Sequence, residues 1–134
     1  MSPEELICFA VKAMENAYAP YSGFQVGAAL LCSDGKVYTG CNIENAAFGP
    51  TNCAERTAIF KAVSEGCRDF TAIAICGGKD GKITDFCPPC GVCRQVMQEF
   101  CREDFPVYLA GPEDYKSLTL GELLPLGFGG NSIK

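Results

Sequence analysis

Apolar side chains recur at helical spacing near the start of the chain, where Leu6, Ile7, Ala10, Val11, Met14, Ala17 and Tyr18 mark one face. Ser2 and Glu5 have capping-box spacing, and Pro3 takes the first helical position, where a missing N–H costs no bond. This predicts an opening helix that stops at Ala19-Pro20-Tyr21-Ser22-Gly23. Two apolar runs, 26–32 and 37–42, then flank Ser33-Asp34-Gly35-Lys36, whose Asp-Gly pair signals a hairpin. Residues 45–52, rich in Gly, Pro, Asn and Ala, read as irregular. A helix is predicted from about 53 to 65, ending at Gly66. Residues 70–76 are apolar throughout and short, as a strand buried on both faces should be. A loop over 77–89 leads to a third helix from about 90 to 102, then a short strand at 107–110. Thr119 and Glu122 repeat the capping-box spacing before a short helix ending at Pro125, and the tail is too rich in glycine for regular structure. The order αββαβαβα implies an α/β fold with a largely parallel sheet covered by helices.

Composition narrows this to one domain, 1–134, with 48% hydrophobic residues to fill a core. The formal charge is −5 and no two basic residues are adjacent, which argues against nucleic acid as a partner. No apolar stretch is long enough to span a bilayer and none forms a basic amphipathic helix, so no membrane partner is expected. The first residues lack the basic and apolar regions of a leader. Ten cysteines are therefore read as thiols of a reducing cytoplasm, some on metal and the rest packed as small hydrophobes. Histidine is absent, which removes Ser-His-Asp and Cys-His machinery.

The chemistry concentrates in Cys53-Ala54-Glu55-Arg56 and Pro89-Cys90-Gly91-Val92-Cys93-Arg94. Both groups fall at predicted helix starts, where unpaired N–H groups and the helix dipole favour thiolates. Cys90 and Cys93 lie about one turn apart on one face, and Cys53 from a second helix could complete a three-thiolate zinc site with an open fourth position. Glu55 would then serve proton transfer. Zinc with three thiolates carries a net negative charge, so Arg56 or Arg94 is a candidate to donate hydrogen bonds to thiolate sulfur. Two other readings stay open. Cys87 could join the three in a closed structural site, although Pro88-Pro89 keeps the backbone extended; or Cys90 and Cys93 could be a redox pair.

These segments resemble the zinc-dependent cytidine deaminase family, in its small homotetrameric branch. So do Ala19-Pro20-Tyr21-Ser22, Phe24-Gln25-Val26-Gly27-Ala28-Ala29, Gly40-Cys41-Asn42-Ile43-Glu44-Asn45-Ala46 and Glu122-Leu123-Leu124-Pro125. The resemblance implies a three-layer α/β/α sandwich with a mixed, mostly parallel five-stranded sheet. It implies one zinc ion per chain on Cys53, Cys90 and Cys93, and zinc-activated hydroxide attack at C4 of cytosine with Glu55 shuttling protons. The expected reaction is hydrolysis of cytidine and deoxycytidine to uridine and deoxyuridine with release of ammonia, as in pyrimidine salvage. Carried over likewise, Asn42 and Glu44 hold the ribose 3′-hydroxyl, Phe24 lies against the pyrimidine, and the backbone of Ala54 and Cys90 contacts the base. Phe128 would reach the pyrimidine site of a neighbouring subunit. Gln95 is read as helix scaffold or as support for the site. Phe48 stands where many relatives have tyrosine, so a polar contact at the ribose 5′ end is in doubt. Alternatives are a deaminase of another cytosine nucleoside such as blasticidin S, or a zinc-stabilised binding module without catalysis.

Overall fold

The computed structural model describes residues 1–134. Helix α1 (Pro3–Met14) opens with the capping box in place: Glu5 N–H donates to the Ser2 hydroxyl, and Ser2 N–H to the Glu5 carboxylate. It ends one turn earlier than its apolar periodicity suggests. Tyr18 instead donates its N–H to the Asn42 carbonyl and accepts from Glu44 N–H, so a tertiary bridge takes the place of another helical turn.

Strands β1 (Phe24–Cys32) and β2 (Val37–Cys41) form the hairpin around Asp34-Gly35. After helix α2 (Ala54–Ser64) come strand β3 (Phe70–Lys79), helix α3 (Gly91–Phe100) and strand β4 (Pro106–Ala110). Strand β5 (Tyr115–Thr119), helix α4 (Leu120–Leu123) and a 3₁₀ turn at Gly130–Ser132 complete the chain. The sheet order is β2-β1-β3-β4-β5. Helix α1 packs Leu6, Ala10 and Met14 on one face against Ala29, Ala72 and Ala74, while α2 and α3 cover Leu30, Ile73, Ile75 and Val107 on the other. The three-layer α/β/α arrangement and the mixed five-stranded sheet are as expected.

The expectation of a mostly parallel sheet is corrected. Only β3 and β4 pair in parallel; β1–β2, β1–β3 and β4–β5 are antiparallel. The cause is that β1 of the opening hairpin inserts between β2 and β3, so the crossover through α2 skips a strand. Strand β5 was not read from the sequence either. It is a half-polar edge strand that folds back on β4 through a turn in which Gly111 N–H donates to the Asp114 carbonyl.

The reading of every cysteine outside the site as a free thiol is also corrected. Cys32, at the end of β1, is disulfide-bonded to Cys67, just beyond α2. The two meet because Ser33 N–H bonds the Asp69 carbonyl, drawing the start of β3 alongside the hairpin. The other eight cysteines are free.

Strands β2, β3 and β4 point the same way, although β1 separates the first two. Helices α2 and α3 therefore both begin at the same edge of the sheet, beyond the carboxyl ends of β2 and β3. In open α/β sheets that edge is where ligands bind.

Candidate metal and catalytic site

Cys53 and Cys90 are the N-cap residues of α2 and α3, both in extended conformation, and neither side chain caps its own helix. Cys93 lies in the first turn of α3 and is buried. Their three sulfurs lie within 4.8 Å of one another, with Cys53 Sγ and Cys90 Sγ 3.6 Å apart. Zinc–sulfur bonds of about 2.3 Å in a tetrahedron place sulfurs about 3.8 Å apart, so the cradle fits zinc. Cys87 is not part of the cluster. Its sulfur lies against Gly77 of β3, 3.0 Å from where a side chain there would begin. Burial and the Glu55 charge push its thiol up to about 12. The cluster thus consists of three cysteines, without Cys87.

The neighbouring Cys93 thiol holds the Cys53 thiol well below its ordinary range, with help from Arg56 and Cys90. The Cys53 thiol and burial push Cys93 up. Arg56 Nη2 donates to Cys53 Sγ at 3.2 Å. Arg94 has another role: Nε donates to the Pro89 carbonyl and Nη1 to the Leu123 carbonyl, each at 2.7 Å. Of the two arginines, Arg56 is the one that reaches thiolate sulfur.

Glu55 is 4% exposed, and its Oε1 is buried with no hydrogen-bond partner. Burial raises its carboxyl from the ordinary range to about 7, and the nearby Cys53 thiolate adds to the rise. A buried acceptor without a partner is costly unless something else occupies the site, such as water or a ligand. A carboxyl that titrates near neutrality is suited to taking and returning a proton.

Asn42, just past β2, is buried, and its amide bridges the edge of β1. Oδ1 accepts from Val26 N–H and Nδ2 donates to the Phe24 carbonyl, both at 2.8 Å. One N–H and one lone pair remain for a ligand. Phe24 begins β1 and is partly exposed. Glu44 is held by the Tyr21-Ser22 turn, accepting from both backbone N–H groups and from the Ser22 hydroxyl. The Ser22 hydroxyl lowers its carboxyl below the ordinary range. Nothing in the sequence pairs Ser22 with Glu44, which is 22 positions away.

A cleft of about 390 Å³ is lined by Tyr21, Ser22, Glu44, Phe48 and Thr51. The three sulfurs do not line it. Phe48 is 73% exposed and holds a left-handed backbone conformation, φ 61°, unusual for a bulky residue. Its ring meets Tyr21 edge-on. Ala54 is fully buried, whereas Phe128 in the tail is 59% exposed. The loop before α2 is tied down by Asn52, whose Nδ2 donates to the Thr57 hydroxyl, and Thr57 in turn donates to the Cys41 carbonyl.

Residues 1–109 match the family described as the cytidine and deoxycytidylate deaminase zinc-binding region. A cytidine deaminase of Sporosarcina psychrophila is 53% identical over 129 residues, covering 96% of this chain and 92% of that protein. One from Halalkalibacterium halodurans is 54% identical over 129 residues, covering 96% and 95%. The crystal structure of the Burkholderia pseudomallei cytidine deaminase superposes with a TM-score of 0.88 at 47% identity, covering 96% of this chain and all of that one. With the three-thiolate cradle, the buried glutamate beside it and these likenesses over nearly the whole length, the chain belongs to the zinc-binding cytidine and deoxycytidylate deaminase family.

Proposed function

We propose that this chain hydrolyses cytidine and deoxycytidine to uridine and deoxyuridine, consuming water and releasing ammonia, in pyrimidine salvage. The observation that carries the reading is the buried Glu55 carboxyl, one oxygen unpartnered, beside a cradle of three cysteine sulfurs. Cys53, Cys90 and Cys93 would hold the zinc ion, which would supply Lewis-acid activation of water at neutral pH. Glu55 accepts the first proton of the attacking water and delivers it to N3 of the base. It then takes the second from the new C4 hydroxyl and passes it to the leaving amine, so that the C4–N bond breaks, ammonia departs and the C4 carbonyl forms. Its raised carboxyl supports that role, because it binds and loses a proton with little penalty in either direction. Arg56 offsets the excess negative charge of three thiolates.

Phe24 lies against the pyrimidine, and the backbone of Ala54 and Cys90 contacts the base. Asn42 and Glu44 take the ribose 3′-hydroxyl; the free valences of the Asn42 amide and the fixed Glu44 carboxylate support this. Phe48 packs at the 5′ end without the hydroxyl of a tyrosine. Phe128 reaches the base bound by a neighbouring subunit, in a homotetramer with shared sites. The exposed rings of Phe48 and Phe128 support an assembly that covers them. No helix is long and apolar enough to cross a membrane, and we assign the protein to the cytoplasm with no nucleic-acid partner.

Ammonia release by the purified protein from cytidine, deoxycytidine, cytosine, CMP and blasticidin S tests the reading. Turnover of the two nucleosides well above the others is expected. Preference for blasticidin S would replace the substrate class. No turnover of any substrate, with zinc stoichiometrically bound, would favour a non-catalytic module.

A further inference from the structure

Helix α3 carries two of the three sulfurs at its start, and its flank holds the C-terminal segment. Arg94 bonds the Leu123 carbonyl, and Gln95 Nε2 donates to the Phe128 carbonyl at 2.7 Å. Gln98, almost one turn further on, packs against the glycines on either side of Phe128. A Cβ on Gly127 would come within 2.8 Å of Gln98 Oε1, and one on Gly129 within 3.1 Å of its Nε2. Leu126 enters this strap in the left-handed region, φ 53°, with its side chain in solvent. Such a conformation in a branched residue costs of order 1 kcal/mol or more and persists only where its surroundings impose it. The backbone around Phe128 is thus fixed from three points on one helix, while the ring itself remains mostly in solvent. Holding an exposed aromatic in one place gains nothing within a single chain; it serves a contact outside it.

We infer that Gln95 is a positioning residue, which through the Phe128 carbonyl sets where that ring meets the pyrimidine, with Gln98 and the flanking glycines closing the other side. The inference rests on the reading of Phe128 as a base-contacting residue. One helix then registers both the metal cradle and the aromatic contact, and the ring's position depends on the Gln95 hydrogen bond together with the packing of Gln98 against the flanking glycines.

The test is a double-mutant cycle of Gln95→Leu and Phe128→Ala, with KM and kcat for cytidine, zinc per chain and calorimetric uridine affinity measured on all four proteins. Gln95→Leu keeps the volume and removes the donor. It is expected to raise KM and weaken uridine about three- to tenfold, the worth of one hydrogen bond. Zinc content should be unchanged, and kcat should change less than KM. In the Phe128→Ala background the same substitution should have little further effect, because the two residues act as one unit. An equal rise in both backgrounds, no rise in either, or loss of zinc would overturn the inference. If Gln95→Leu fails to fold, Gly129→Ala perturbs the strap from the Gln98 side with Gln95 intact, and an unchanged uridine affinity there would equally overturn it. A wild type that binds uridine but releases no ammonia would sink the deaminase reading alone, since uridine affinity still reads the strap.

Discussion

Glu55 and Glu44 are the same side chain in opposite environments. Burial raises the first toward neutrality, while the Ser22 hydroxyl and two backbone N–H groups lower the second. One is suited to exchanging protons and the other to remaining an anion that accepts hydrogen bonds. Arg56 is the single cation on a sulfur of the cradle, at 3.2 Å from Cys53. Arg56→Ala should weaken zinc about 10- to 100-fold, as loss of an outer hydrogen bond to a ligand does. Competition with a chromophoric chelator checks this, and an affinity equal to wild type would count against the role. Cys87→Ser should retain both zinc and activity, because its sulfur lies against Gly77 and outside the cluster. Zinc loss measured by atomic absorption would revive a four-cysteine site.

At the scale of elements, the site depends on close approach of helix to sheet. Gly40 of β2 faces α2 so tightly that a Cβ would overlap the Ala54 carbonyl and lie 2.6 Å from the Ala58 nitrogen. Gly27 meets α1 in the same manner at Ala10 and Met14. Gly40→Ala should therefore cost about 1–3 kcal/mol, the usual penalty of overpacking. Urea denaturation measures it, and an unchanged midpoint would show that α2 shifts freely. Because that contact falls on the residue between Cys53 and Glu55, the variant should also lower zinc occupancy. The element starts were legible in the sequence: both capping boxes formed at Ser2 and Thr119, and the Asp34-Gly35 hairpin formed as read. Such signals are local. What was not legible depended on distant partners. Tyr18 left the helix for a bridge to residues beyond β2, and β1 inserted between β2 and β3. Neither event leaves a mark within a window of a few residues, and the half-polar β5 acquires its identity only by pairing with β4.

Across the whole molecule, the metal cradle could be read from the sequence because its three ligands sit at helix starts, and the fold needs only to bring two such starts together. The sequence could not show the hold of Ser22 on Glu44, nor the binding of the Phe128 carbonyl by Gln95 across 33 positions. The same limit applies to Cys32 and Cys67, 35 positions apart, whose bond depends on how the hairpin meets the loop after α2. The sheet topology directs both helix starts to one edge, and the charge of the cradle is balanced there by Arg56 and two helix termini. We propose this edge as a hydrolytic centre in which Glu55 moves the protons. Ammonia release from cytidine by zinc-loaded wild type and Glu55→Gln, with zinc and secondary structure measured on the same samples, tests it most directly. Turnover by the wild type and a loss of roughly 10²–10⁴-fold in the variant are expected, with metal and fold intact. Equal turnover by both proteins, or none by the wild type at full zinc occupancy, would contradict it.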